Sequence, residues 1–170
     1  MYTHIYYLFL KNDYSSIIEK VNHISLDSLL NYYFVTKDYS NQDAWSCYRI
    51  GEAFFQKKQF VEAEKFYQQS VKLAPYNLEF RNKYGVCLFS QEKLEFAIDE
   101  FQFIINEDNN FVSAYTNLGY VSLQLGKIEE ALMYYNYALT LNPRHERTLI
   151  NKAQLLLLDN NKKDAFICID

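Results

Sequence analysis

The chain has 170 residues, 49% of them apolar and 22% charged, which is enough apolar content for a folded domain and too much for a wholly disordered chain. Its net charge of −4, with no basic stripe, argues against nucleic acid as the partner. Four Gly and two Pro favour long helices over a turn-rich β fold, and three widely spaced Cys without a CxxC suit a reduced compartment.

Met1 to Leu10 carries no early Lys or Arg and only a short apolar run, so it does not make a signal peptide. Tyr2–Leu10 and Tyr14–His23 predict a helical hairpin. The segment Tyr14-Ser15-Ser16-Ile17-Ile18-Glu19 has the spacing of Phe60-Val61-Glu62-Ala63-Glu64-Lys65, with Ile17 in place of the small residue. Ser25–Lys37, with Ser25 as N-cap, predicts a further helix, and Asp38–Asp43 a polar linker. Residues 1–43 are therefore expected to form a helical N-terminal cap or a divergent repeat.

From residue 44 a 34-residue period governs the chain. Gly51, Gly85 and Gly119 keep it, with Ala153 at the next step; Ala63, Ala97, Ala131 and Ala165 keep it as well. Tyr67, Phe101 and Tyr135 follow the same interval, and Pro75 and Pro143 lie two intervals apart with Asn109 between them. Within 44–77, Cys47, Ile50, Phe54 and Phe55 recur at helical spacing, Lys57 to Gln59 break the pattern, and Val61, Tyr67 and Val71 open a second helical face. Each unit thus predicts a helix-turn-helix hairpin. Small residues at the Gly and Ala positions let its two helices approach, and an aromatic fills the space toward the next hairpin. Proline after the second helix stops it.

This pattern resembles the tetratricopeptide-repeat family. Repeat 112–145 carries it through Leu118-Gly119, Ala131, Tyr135, Ala138 and Pro143, and repeat 44–77 through Ile50-Gly51, Phe54, Ala63, Tyr67 and Pro75. Repeat 78–111 carries Tyr84-Gly85, Leu88, Ala97 and Phe101, but Asn109 replaces the usual proline, so its end is expected to be looser or its helix longer. A partial repeat, 146–170, carries Ala153, Leu156 and Ala165. The resemblance implies an all-α fold, a right-handed α-solenoid of stacked hairpins.

In that family the first helix of each repeat lines a concave groove. The corresponding residues in repeat 44–77 include Trp45, Tyr48, Arg49 and Glu52; in repeat 78–111 they include Asn82, Lys83 and Val86. Repeat 112–145 contributes Thr116, Asn117, Tyr120 and Gln124, and the partial repeat Arg147 and Asn151. Tyr48, Asn117 and Tyr120 are the favoured groove anchors. Trp45 is read equally as packing on the Ser25–Lys37 helix, Phe55 and Phe89 are read as core, and Arg49 and Lys83 as ordinary solvated partners of Glu52 and Glu79. Some family members clamp a partner's C-terminal carboxylate with Lys, Asn and Arg. Only Asn117 and Arg147 survive at those positions, which disfavours a tail clamp.

His4, His23 and His145 lie at no ligand spacing to Cys or carboxylate, so no metal or cofactor is expected. No nucleophile, base and oxyanion donor assemble, so the chain does not read as an enzyme. The apolar end Phe166-Ile167-Cys168-Ile169 stops within the second helix of a repeat. It reads as a truncated stack or, less favoured, as a surface for a homodimer. The expectation is a cytoplasmic adaptor binding a protein or peptide, without nucleic acid or membrane insertion. The alternative is an architectural segment of a larger assembly or multidomain enzyme, working through its ends or convex face.

Overall fold

Apolar side chains recurring every three or four residues, broken at short polar turns, set where helices begin and end along this chain. The computed structural model describes residue 8, residues 11–22 and residues 41–158. Among the described residues it contains eight helices and no strand: α1 (Tyr14–Asn22), α2 (Asn41–Gln56), α3 (Phe60–Leu73), α4 (Leu78–Phe89), α5 (Leu94–Glu107), α6 (Val112–Gln124), α7 (Ile128–Leu141) and α8 (Glu146–Leu158). None is long and apolar enough to cross a membrane. The expected Ser25–Lys37 helix, Ala165 and the apolar C-terminal end lie outside the described residues. So does the expected Tyr2–Leu10 helix apart from Leu8. The chain divides into two compact units, Met1–Glu92 and Lys93–Asp170.

In the first unit α2 and α3 form a hairpin, α1 packs on α2, and α4 packs on α3. The hairpin closes because Gly51 has no side chain. A Cβ there would stand 2.9 Å from the Tyr67 ring, which is fully buried beside Ala63. Phe54 stacks on Phe66 with ring centres 5.5 Å apart, and Trp45 meets Phe80 edge-on at 4.7 Å. Leu8, Ile17 and Val21 join the same apolar core as Cys47 and Ile50. Helix α2 opens at Asn41, so Asn41 to Asp43 are helical and not a linker.

The turn between the two helices of a hairpin has one recurring geometry. The Phe54 carbonyl accepts from Lys57 N and Gln59 N, with Lys58 at φ 59°. Leu8 O likewise accepts from Lys11 N and Asp13 N, with Asn12 at φ 54°. Ile17 therefore sits where Ala63 sits and Val21 where Tyr67 sits. A larger side chain at the small position is matched by a smaller one at the aromatic position, which conserves core volume.

In the second unit α6 and α7 form the hairpin, α5 packs on α6, and α8 packs on both α7 and α6. A Cβ on Gly119 would lie 2.5 Å from the Tyr135 ring, and Ala131 and Ala138 are fully buried. The inter-helix turn repeats, with Glu92 at φ 60° before α5 and Gly126 at φ 74° before α7. Asn109 does not lengthen its helix: α3, α5 and α7 each have 14 residues. The Asp108 carboxylate accepts from Asn110 N at 2.9 Å, as Asn142 Oδ1 accepts from Arg144 N at 3.1 Å beside Pro143, so the same turn forms with or without proline. The two helices of repeat 78–111, with Gly85 on α4 and Ala97 and Phe101 on α5, fall in different units, and all three residues are buried.

Candidate functional site

In the first unit the expected groove residues are largely taken up by contacts within the chain. The Glu52 carboxylate on α2 is buried and accepts a hydrogen bond from the Tyr67 hydroxyl on α3. Lys83 on α4 reaches the same carboxylate at 3.1 Å, with its own side chain 35% exposed. The pair is a half-buried hydrogen-bonded network rather than solvated surface charge. The Tyr48 hydroxyl donates to Glu79 Oε1 at 3.3 Å. Burial pushes both phenols well above their ordinary range, with Glu52 adding to each, so both remain donors at neutral pH.

Tyr48 is therefore not the open anchor its position suggests. It is 5% exposed, its ring stacked on Phe80 at 4.9 Å. Trp45 is half-buried and packs forward onto Phe80 and Tyr48, with the Arg49 guanidinium 5.7 Å from its ring. Phe55 is half-buried against Phe60 and Tyr67. Asn82 and Val86 are half-buried on α4.

In the second unit α6 and α8 are fastened by a hydroxyl chain. Thr116 Oγ1 donates to Val112 O at 3.0 Å, so Thr148 Oγ1 must donate to Thr116 across 2.6 Å. His145 Nδ1 then carries the proton toward Thr148 Oγ1, also at 2.6 Å. Thr116 and Thr148 are thus buried inter-helix fasteners, and Asn117 is buried beside them. The accessible side chains on this face are half-buried Tyr120 and Asn151 and exposed Gln124 and Arg147.

Beneath them lies Tyr135 on α7, fully buried, its hydroxyl without a hydrogen-bond partner. Asn151 on α8 bears on that hydroxyl. Burial, then Tyr120, pushes the phenol well above its ordinary range, while Arg147 and Asn151 act in the opposite direction. The structure thus brings together Tyr48, Glu52 and Lys83 in one unit, and Tyr120, Arg147 and Asn151 around Tyr135 in the other. Sequence reasoning placed Tyr67 and Tyr135 as packing aromatics and missed their hydroxyls. The available signal was Tyr in place of Phe101 at the same register, since a buried hydroxyl needs a partner.

Two stretches, residues 44–77 and 112–145, match the family model described as tetratricopeptide repeat. Among solved structures, a crystal structure of MamA superposes with TM-score 0.71 at 18% identity, covering 99% of this chain and 86% of that one. The Arabidopsis OM64 TPR domain gives TM-score 0.64 at 21% identity, covering 68% of this chain and 95% of that one. The first TPR of Spaghetti (RPAP3), solved bound to an HSP90 peptide, gives 0.61 at 20% identity, covering 76% and 95%. These likenesses establish the all-α helical-hairpin fold of tetratricopeptide solenoids. Residues 44–77 and 112–145 are tetratricopeptide repeats, and the chain has the fold of tetratricopeptide-repeat solenoids.

Proposed function

We propose that the chain is a protein-interaction module that binds a peptide segment of a partner along the first-helix face of its repeats, and is not an enzyme. The observation that carries this reading is the composition of the α6 and α8 surface. Tyr120, Gln124, Arg147 and Asn151 stand half-buried or exposed on two adjacent helices whose spacing is fixed by the Thr116–Thr148 hydrogen bond. Rigid aromatic area, an amide that both donates and accepts, and a cation are what an extended peptide needs for affinity and backbone pairing. The similar RPAP3 domain bound to an HSP90 peptide supports peptide binding as a use of this fold.

The test is partner capture from a lysate by the wild-type chain and by Tyr120→Ala/Arg147→Ala. Both changes are at accessible positions, so circular dichroism should be unchanged, whereas Tyr48→Ala would empty part of the core. Loss of the captured partner in the double variant is expected, with about 2 kcal/mol lost per anchor. Equal capture by both proteins would contradict the groove reading and move binding to an end or the convex face.

A further inference from the structure

The two described hairpins answer one structural question differently, and the difference points to a ligand. At the register of Tyr67, Phe101 and Tyr135 two repeats carry a hydroxyl and one does not. At the register of Glu52, Val86 and Tyr120 only the first repeat carries an anionic acceptor. The first repeat therefore pairs a phenol with a carboxylate, and the second has neither. The third has the phenol of Tyr135 and no carboxylate to receive it. Its hydroxyl is unpartnered inside a residue that is fully buried.

The surroundings of that hydroxyl are also inverted in charge. In the first unit Tyr67 and Lys83 converge on Glu52, and Glu79 lies at the next helix beside Tyr48. One 68-residue shift places Asn151 at the register of Lys83 and Arg147 at the register of Glu79. The described groups that bear on the Tyr135 hydroxyl are Tyr120, Arg147 and Asn151, none of them an anion. A phenol donor, an amide and a guanidinium thus face a place that in the first unit holds a carboxylate.

We propose that the α6–α8 face of the second unit binds an acidic side chain, Asp or Glu, of a partner peptide, with its carboxylate accepting from the Tyr135 hydroxyl in the manner of Glu52 on Tyr67. This rests on the groove reading and narrows it. Asn151 donates to the second carboxylate oxygen and Arg147 supplies the compensating charge at the rim. Tyr120 stands at the register of Glu52, so binding requires Tyr120 and Asn151, both half-buried, to turn outward. The first unit is closed to the same ligand because Glu52 already fills it.

The probe is a library of short random peptides with amidated C-termini, selected on the wild-type chain and followed by fluorescence anisotropy. Selected peptides should carry Asp or Glu at one fixed position, and replacing that residue by its amide should weaken binding about tenfold. Tyr135→Phe should weaken the acidic peptide by a similar factor, leave the amide peptide unchanged, and not lower Tm. Asn151→Ala provides a second variant that leaves the buried aromatic in place, and should weaken the same peptide. Selection without an acidic preference, or an acidic preference untouched by Tyr135→Phe and Asn151→Ala, overturns the carboxylate subsite. Equal binding of peptides that have a free C-terminus but no acidic side chain overturns it in favour of tail recognition. In these cases the groove reading stands if Tyr120→Ala/Arg147→Ala still abolishes binding. If no peptide is selected, or that double variant binds as wild type, the groove reading falls as well.

Discussion

Gly51 and Gly119 occupy the same register of two hairpins, and each lies against the ring of the aromatic that closes its hairpin. The approach is tighter at Gly119, where an added Cβ would meet Tyr135 at 2.5 Å and the Ala131 carbonyl at 3.2 Å. Overpacking of that kind costs about 1–3 kcal/mol, against about 1 kcal/mol gained in helix propensity. Gly119→Ala is therefore expected to lower Tm by several degrees in thermal denaturation, and Gly51→Ala by less. The two tyrosines differ in the opposite sense. Tyr67→Phe removes a hydrogen bond to a buried carboxylate and should cost about 2 kcal/mol in urea unfolding. Tyr135→Phe removes an unpartnered buried hydroxyl and should leave stability unchanged or raise it by up to about 1 kcal/mol. A loss of stability in Tyr135→Phe as large as in Tyr67→Phe would contradict the unsatisfied state of that hydroxyl.

At the scale of the helix, the start of α8 is set by a short proton chain from His145 through Thr148 to Thr116. Burial, assisted by Arg147, holds the His145 pKa below its ordinary 6.5. The unfolded chain therefore takes up the proton first as pH falls through 6.5, and stability declines from there until the folded imidazole also protonates. Tm should fall as pH is lowered through 6.5, and His145→Gln should reduce that fall. At α4, the Asn77 side chain accepts from Phe80 N at 3.1 Å, so Asn77→Ala should cost about 1 kcal/mol in the same unfolding assay. Helix positions were legible because the 34-residue period repeats the whole stop-and-start grammar. Asn109 misled because the side-chain turn that follows the helix, made by Asp108 here and by Asn142 beside Pro143, forms with or without proline. Asn41 to Asp43 misled because polar residues at a helix start look like a linker.

For the molecule as a whole, the repeat and its packing residues were readable from one sequence, since steric roles recur with the period. The candidate site was only partly readable. Register puts Tyr48, Glu52, Thr116 and Asn117 on the groove side, but whether such a side chain stays open depends on its neighbours from other helices. Phe80 covers Tyr48, Tyr67 and Lys83 engage Glu52, and Thr148 engages Thr116. Those contacts join residues 15 to 32 positions apart and leave no local mark. Tyr120, Gln124, Arg147 and Asn151 are the accessible candidates of the second unit. A rival surface exists there on the outer side of α7, an open hollow lined by Leu132, Met133, Asn136 and Tyr137. The measurement that separates them is amide chemical-shift mapping of the isotope-labelled chain during titration with a selected peptide. The largest shifts are expected on Tyr120, Gln124, Arg147 and Asn151. Shifts centred on Met133 and Tyr137, with the α6 and α8 residues unmoved, would contradict it.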